Sequence, residues 1–171
     1  MNVCRNIIFM LMAFQSVDKA SIVRYQEAVR KHLLWEELRS AMGVPTRLDQ
    51  EGGGRRVYTY MDKEGWERID IEISIQTGKV ELIYLYPRGT LKTRQMELAL
   101  DTHFAKYRYN LDNCLNDGDS APSYRDPAGE IVVFESRSAA MNIFVDYLGA
   151  IRQIQISNSP AGALKSRCRS R

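Results

Sequence analysis

Histidine occurs twice in this chain, at His32 and His103, and cysteine three times, at Cys4, Cys114 and Cys168. No Cys-x-x-Cys pair is present, so the spacing that builds a zinc site or a redox dithiol is missing and no structural metal is expected. Charge of one sign is also lacking. The formal net charge is +3, but Lys165, Arg167, Arg169 and Arg171 all lie in the C-terminal tail, leaving 20 basic residues against 21 acidic ones before it. A surface that neutralises many phosphates needs Lys and Arg gathered on one face, so nucleic acid is not an expected partner.

An apolar run long enough to cross a bilayer as a helix, about 20 residues, is missing too. The N-terminal run Ile7 to Phe14, preceded by Arg5, has the length of a signal-peptide core. Residues 1–17 are therefore read as an apolar segment of signal-peptide type, with a buried N-terminal helix or strand as the alternative. Gln15 to Ala20 makes a poor cleavage site, and Cys4 precedes the run, whereas a lipoprotein cysteine would follow it. The expected location is periplasmic or secreted, with cytoplasmic as the alternative. If the first 20 residues are removed on export, Cys114 and Cys168 remain as a candidate disulfide; otherwise they are free thiols.

The remaining composition, 44% apolar and 26% charged over 171 residues, is that of an ordinary globular protein. Ile22, Val29, Leu33, Leu34, Leu38 and Met42 recur at three- and four-residue steps and predict a helix over 18–42, stopped by Gly43 and Pro45. After Gly52-Gly53-Gly54, strands are predicted over 57–62, 67–76 and 79–86. In the second of these Ile69, Ile71, Ile73 and Ile75 alternate with Arg68, Asp70, Glu72 and Ser74, the pattern of a sheet with one buried face. A second helix is predicted from Leu91 to Tyr107, then strands over 130–135, 140–145 and 150–157. Residues 159–171 read as a disordered basic tail.

Gly78 and Gly149 lie 71 residues apart, and Val80, Ile83 and Leu85 correspond to Ile151, Ile154 and Ile156. The expectation is an internal duplication in an α+β fold: two helix-then-three-antiparallel-strand units, 18–88 and 89–158, packed helix on sheet.

Glu36-Glu37-Leu38, Met42-Gly43-Val44-Pro45, Gly53, Tyr58-x-Tyr60, Ile73-x-Ile75 and Gly78-x-Val80-x-x-Ile83 together resemble the pattern of the BamE/SmpA small lipoprotein fold. A tandem of that fold resembles the architecture of the β-lactamase inhibitor protein family. The resemblance implies an envelope or secreted protein that presents a sheet surface to another protein and carries no catalytic residues. The second half has Leu115-Asn116-Asp117 where the first has Gly-x-Pro. A second resemblance rests on Asp126-Pro127-Ala128-Gly129-Glu130-Ile131-Val132-Val133, which is similar to a segment of type III secretion chaperones and implies a cytoplasmic homodimer.

Candidate chemistry is sparse. His103 and Cys114 would make a hydrolase pair only if the fold joined them, and each histidine is expected inside a helix. Asp101, Asp112, Asp117 and Asp119 do not follow the spacing of a calcium loop. Gly52-Gly53-Gly54-Arg55-Arg56 precedes a strand and not the helix that a phosphate loop opens. No catalytic residue, metal or cofactor is assigned, and the expected function is non-catalytic binding or scaffolding of another protein. The candidate surface is aromatic: Tyr58, Tyr60, Trp66, Leu82, Tyr84 and Tyr86, large contact groups with polar tips. The competing expectation is that the other half of the molecule covers them.

Overall fold

Two short helices stand where the sequence pattern predicts one. In the computed structural model, which describes residues 17–110, 130–136 and 141–157, α1 spans Lys19–Arg30 and α2 spans Trp35–Met42. The Asp18 carboxylate caps α1 by accepting the Ala20 amide at 3.0 Å. The break falls at His32, whose φ of 49° is left-handed, after which the chain runs extended to meet Lys79. There the Trp35 amide donates to Gly78 O at 2.8 Å and Val80 N donates to Leu33 O at 2.9 Å. The apolar spacing survives the break because both helices bury their stripes on the same sheet: Ile22, Tyr25 and Val29 from α1, Trp35, Leu38 and Met42 from α2.

The strands are β1 (Arg47–Gly52), β2 (Arg55–Lys63), β3 (Trp66–Ser74) and β4 (Val80–Pro87), then, after α3 (Thr93–Leu100), β5 (Ala105–Asn110), β6 (Glu130–Ser136), β7 (Met141–Val145) and β8 (Ile151–Ser157). All pair antiparallel in one sheet of order β1-β2-β3-β4-β8-β7-β6-β5.

This corrects the expected fold class. The chain does not form two helix-plus-three-strand units: it is one eight-stranded antiparallel sheet with three short helices. The internal duplication of such units is corrected with it, since the first half has two helices and four strands and the second has one helix and four strands, joined edge to edge at β4 and β8. Two strands were hidden. β1 is a charged edge strand with no apolar alternation, as edge strands tend to be. β5 begins within the segment predicted as helix over 91–107, and the helix there ends instead at Asp101, where φ is 51°.

The core lies between the helices and one sheet face, formed by Ile69, Ile71, Ile83, Leu85, Ile154, Ile156, Met141 and Ile143. α1 packs across the β4–β8 seam, so it touches strands from both halves. Ile75 departs from the expected alternation: it lies past the end of β3 and is exposed. Cys4, Cys114, Cys168, the run Ile7 to Phe14, the acidic residues Asp112, Asp117 and Asp119, and the tail 159–171 lie outside the described residues.

Candidate functional site

The six aromatic and apolar residues singled out from the sequence divide between the two faces of the sheet. Tyr58, Tyr60 and Trp66 belong to the helix face. Tyr58 stacks on Trp35 with ring centroids 4.1 Å apart and planes 6° from parallel. Tyr60 is buried, its hydroxyl donates to Gly43 O at 2.8 Å, and burial pushes its phenol up to about 12. Trp66 is also in the core. These three form the seat of α2 and the base of α1.

Leu82, Tyr84 and Tyr86 occupy the opposite, far face, partly exposed, because they alternate with the buried Ile83 and Leu85 along β4. Pairing registers place two rows of side chains across this face. One row runs Thr59, Asp70, Tyr84, Gln155, Asn142, Glu135; the other holds Met61, Arg68 and Tyr86 on one side of the seam and Phe144, Val133 and Tyr107 on the other.

The rows are tied together by polar contacts. Thr59 Oγ1 donates to Asp70 Oδ1 at 2.7 Å, and Arg68 Nε lies 3.2 Å from Asp70 Oδ2. The Arg68 guanidinium sits 3.7 Å above the Tyr86 ring, whose hydroxyl accepts from Gln153 Nε2 at 2.9 Å across the seam. Burial raises the Tyr86 phenol above its ordinary value. Asn142 Nδ2 donates to Gln155 Oε1 at 3.1 Å. At the end of the face nearer β1, Arg55 pairs with Glu72 at 2.6 Å. On the far face Leu82, Tyr84, Tyr86, Phe144, Gln153 and Gln155, from both halves of the chain, are partly exposed, whereas Thr59, Val133, Glu135 and Asn142 are buried.

Sequence reasoning missed Phe144, Gln153, Gln155, Asn142 and Glu135. Their alternation with Met141, Ile143, Val145, Ile154 and Ile156 was visible, but that β8 pairs with β4 was not, so nothing joined them to Tyr84 and Tyr86. His103 is not in a helix as expected. It follows α3, highly exposed, with Nδ1 3.7 Å from Glu97 Oε1. His32 sits in the break between α1 and α2. Among the described residues no three His, Cys, Asp or Glu side chains converge, and no helix is long and apolar enough to cross a membrane.

No protein-family model matches the chain, and no curated protein matches it. Solved structures that match include an extracellular protein containing a SCP domain from Bacillus anthracis str. Ames, 10% identical, with a TM-score of 0.44 over 77% of this chain and 45% of that one. Another is a cysteine-rich secretory protein from Staphylococcus aureus subsp. aureus Mu50, 9% identical, with a TM-score of 0.40 over 72% of this chain and 43% of that one. The chain spans less than half the length of either.

The fold corrects the BamE/SmpA, β-lactamase inhibitor protein and secretion-chaperone resemblances, since the chain forms one eight-stranded antiparallel sheet with three short helices and not a tandem of helix-plus-three-strand units or a chain that finishes its described part in a helix. The physical reasons are local. Gly43-Val44-Pro45 is a helix stop open to any helix that precedes a strand. Met141 to Ser157, which a chaperone would need as a helix, forms β7 and β8.

Proposed function

We propose that the chain is a non-catalytic interaction module that holds another protein against the far face of its sheet, centred on Tyr84 and Tyr86, at the cell envelope or outside the cell. The observation that carries this reading is the pair of rows across the β4–β8 seam, where Tyr84 and Tyr86 meet Gln153, Gln155 and Phe144 on one face. Tyrosine gives large contact area at low conformational cost, and amides adjust to many partners, the composition that anchors protein interfaces. The signal-like segment Arg5 to Phe14 supports an exported chain. Absence of catalysis is part of the proposal: the histidines sit apart from the far face, one beside Glu97 and the other between helices.

The test is a photo-cross-linking amino acid placed at Tyr84 and, as control, at the exposed Leu98 on α3, in the organism that makes the protein. A discrete protein adduct at position 84 and none at 98 is expected. Equal labelling at both positions, or none at 84, overturns the reading.

A further inference from the structure

Among the described residues, the hairpin turns of this sheet carry small or polar tips, with one exception. The β1–β2 turn has Gly53-Gly54 at its tip, β2–β3 has Glu64-Gly65 and β3–β4 has Thr77-Gly78. The β7–β8 turn carries Tyr147-Leu148, which are 63% and 65% exposed. The turn does not need them for its shape: Asp146 accepts the Leu148 and Ala150 amides, and Gly149 takes the left-handed φ of 72°. Lys92 Nζ braces it further by donating to Leu148 O at 2.8 Å. Two large side chains are thus held out in water by a fixed turn, which costs hydration free energy that packing within the chain does not recover.

The position of the turn points to what covers it. Trp66 faces Pro87 and Val145 faces Ile151, so the start of β3, the end of β4 and the β7–β8 turn lie at one end of the sheet. Ile151 N donates to Leu91 O at 2.8 Å, and Leu91, Pro87 and Trp66 line one depression with Val17, the first described residue. The chain therefore reaches α1 at the same end as Tyr147 and Leu148, and only Gln15 and Ser16 separate Val17 from the apolar run Ile7 to Phe14. That run is too short to cross a bilayer, and it is followed by a poor cleavage site. Charges at this end are matched, Arg88 with Asp62 and Arg152 with Asp146, so an anionic surface gains little from it. What remains unmatched is apolar area with one phenol. Tyrosine prefers the boundary of a bilayer, where its ring meets acyl chains and its hydroxyl meets water.

We propose that the Tyr147-Leu148 turn is a lipid-contact tip, which enters the headgroup–acyl boundary of a bilayer beside the apolar run Ile7 to Phe14. Two separate apolar contacts at one end of the sheet hold the molecule to the membrane and fix its orientation, where a single short segment would bind weakly and at any tilt. The sheet then stands with its far face clear of lipid. This goes beyond the far-face reading and does not depend on it.

The experiment uses the full chain and vesicles of neutral phosphatidylcholine whose acyl chains are either plain or brominated, bromine being a contact quencher of tryptophan. Tyr147→Trp places a reporter on the turn, and Ile75→Trp places one at an exposed position at the opposite end of the sheet. Emission of the unaltered chain, from the buried Trp35 and Trp66, is the blank. Expected is a blue shift of the added emission on plain vesicles and its loss on brominated ones for Tyr147→Trp, with neither change for Ile75→Trp. Replacing both tip residues, Tyr147→Ser with Leu148→Ser, leaves Asp146 and Gly149 in place and should weaken partition onto phosphatidylcholine about tenfold, at low and high salt alike. No quenching at position 147, equal quenching at 75, partition unchanged by the double replacement, or binding that needs phosphatidylglycerol and disappears in salt each overturns the proposal. So does a blue shift at 147 without vesicles, which would mean that a second copy of the chain covers the turn. The cross-link at position 84 is read separately, so either result can fail while the other stands.

Discussion

Single side chains in this fold do the work of turns. Asp146, in the β7–β8 turn, accepts the Leu148 amide at 2.9 Å and the Ala150 amide at 2.8 Å, and lies 2.7 Å from Arg152 Nη2. Burial alone would raise its pKa, but the two amides and the guanidinium outweigh it and hold the carboxyl below its ordinary value. With the native pKa below the unfolded one, near 3.9, the unfolded chain takes up the proton first. The stabilisation is therefore complete above about pH 5 and is lost as pH falls through about 4 and below. Asp146→Asn is expected to cost about 1–3 kcal/mol at neutral pH and to flatten the acid limb of stability against pH. Urea titrations of both forms between neutral and acid pH measure this. The same turn holds Tyr147 and Leu148 outward and exposed.

At the scale of elements, α2 is an eight-residue helix that could not persist alone. Two attachments hold it: the backbone bridge of Leu34 to Lys79, and the Trp35 ring between Tyr58 and Tyr60, with the Trp35–Tyr60 centroids 6.4 Å apart. Trp35→Ala removes the second and is expected to cost about 3–5 kcal/mol, read by thermal unfolding, with the near-ultraviolet circular dichroism of the stacked pair lost even where the fold survives. Undiminished stability would show that the bridge suffices.

Elements with strong periodicity were legible from residues alone: β3 from its isoleucines, β4 and β8 from Val80-x-x-Ile83 and Ile151-x-x-Ile154. Those whose signal is weak or shared were not. β1 carries charges on an edge, Phe104 in the link before β5 and Tyr107 within it continue the helical stripe of α3, and the helix break at His32 is set by a tertiary bridge. The candidate surface was half legible for the same reason. Alternation showed that Tyr58 with Tyr60, and Tyr84 with Tyr86, each share a face. Which face is covered depends on where α1 and α2 land, and that is a property of the whole sheet.

For the whole molecule the decisive feature is the seam. Ile83 faces Ile156 and Leu85 faces Ile154 across β4 and β8, and α1 lies over both strands. If a half could fold alone, its seam strand would become an open edge with buried-face isoleucines and an uncovered helix, so each half loses more than it keeps. The two halves are therefore expected to unfold as one unit. Both tryptophans, Trp35 and Trp66, lie in the first half, so their fluorescence reports that half, while hydrogen exchange of β7 amides reports the second. In urea the two probes should give coincident midpoints. Leu85→Ala, at a fully buried seam position, should lower both midpoints together, a loss of about 2–5 kcal/mol in unfolding free energy. Separated midpoints, or a Leu85→Ala effect confined to the tryptophan signal, would instead show two independent units at 18–88 and 89–158. A far face assembled from both halves would then not persist when either one opens.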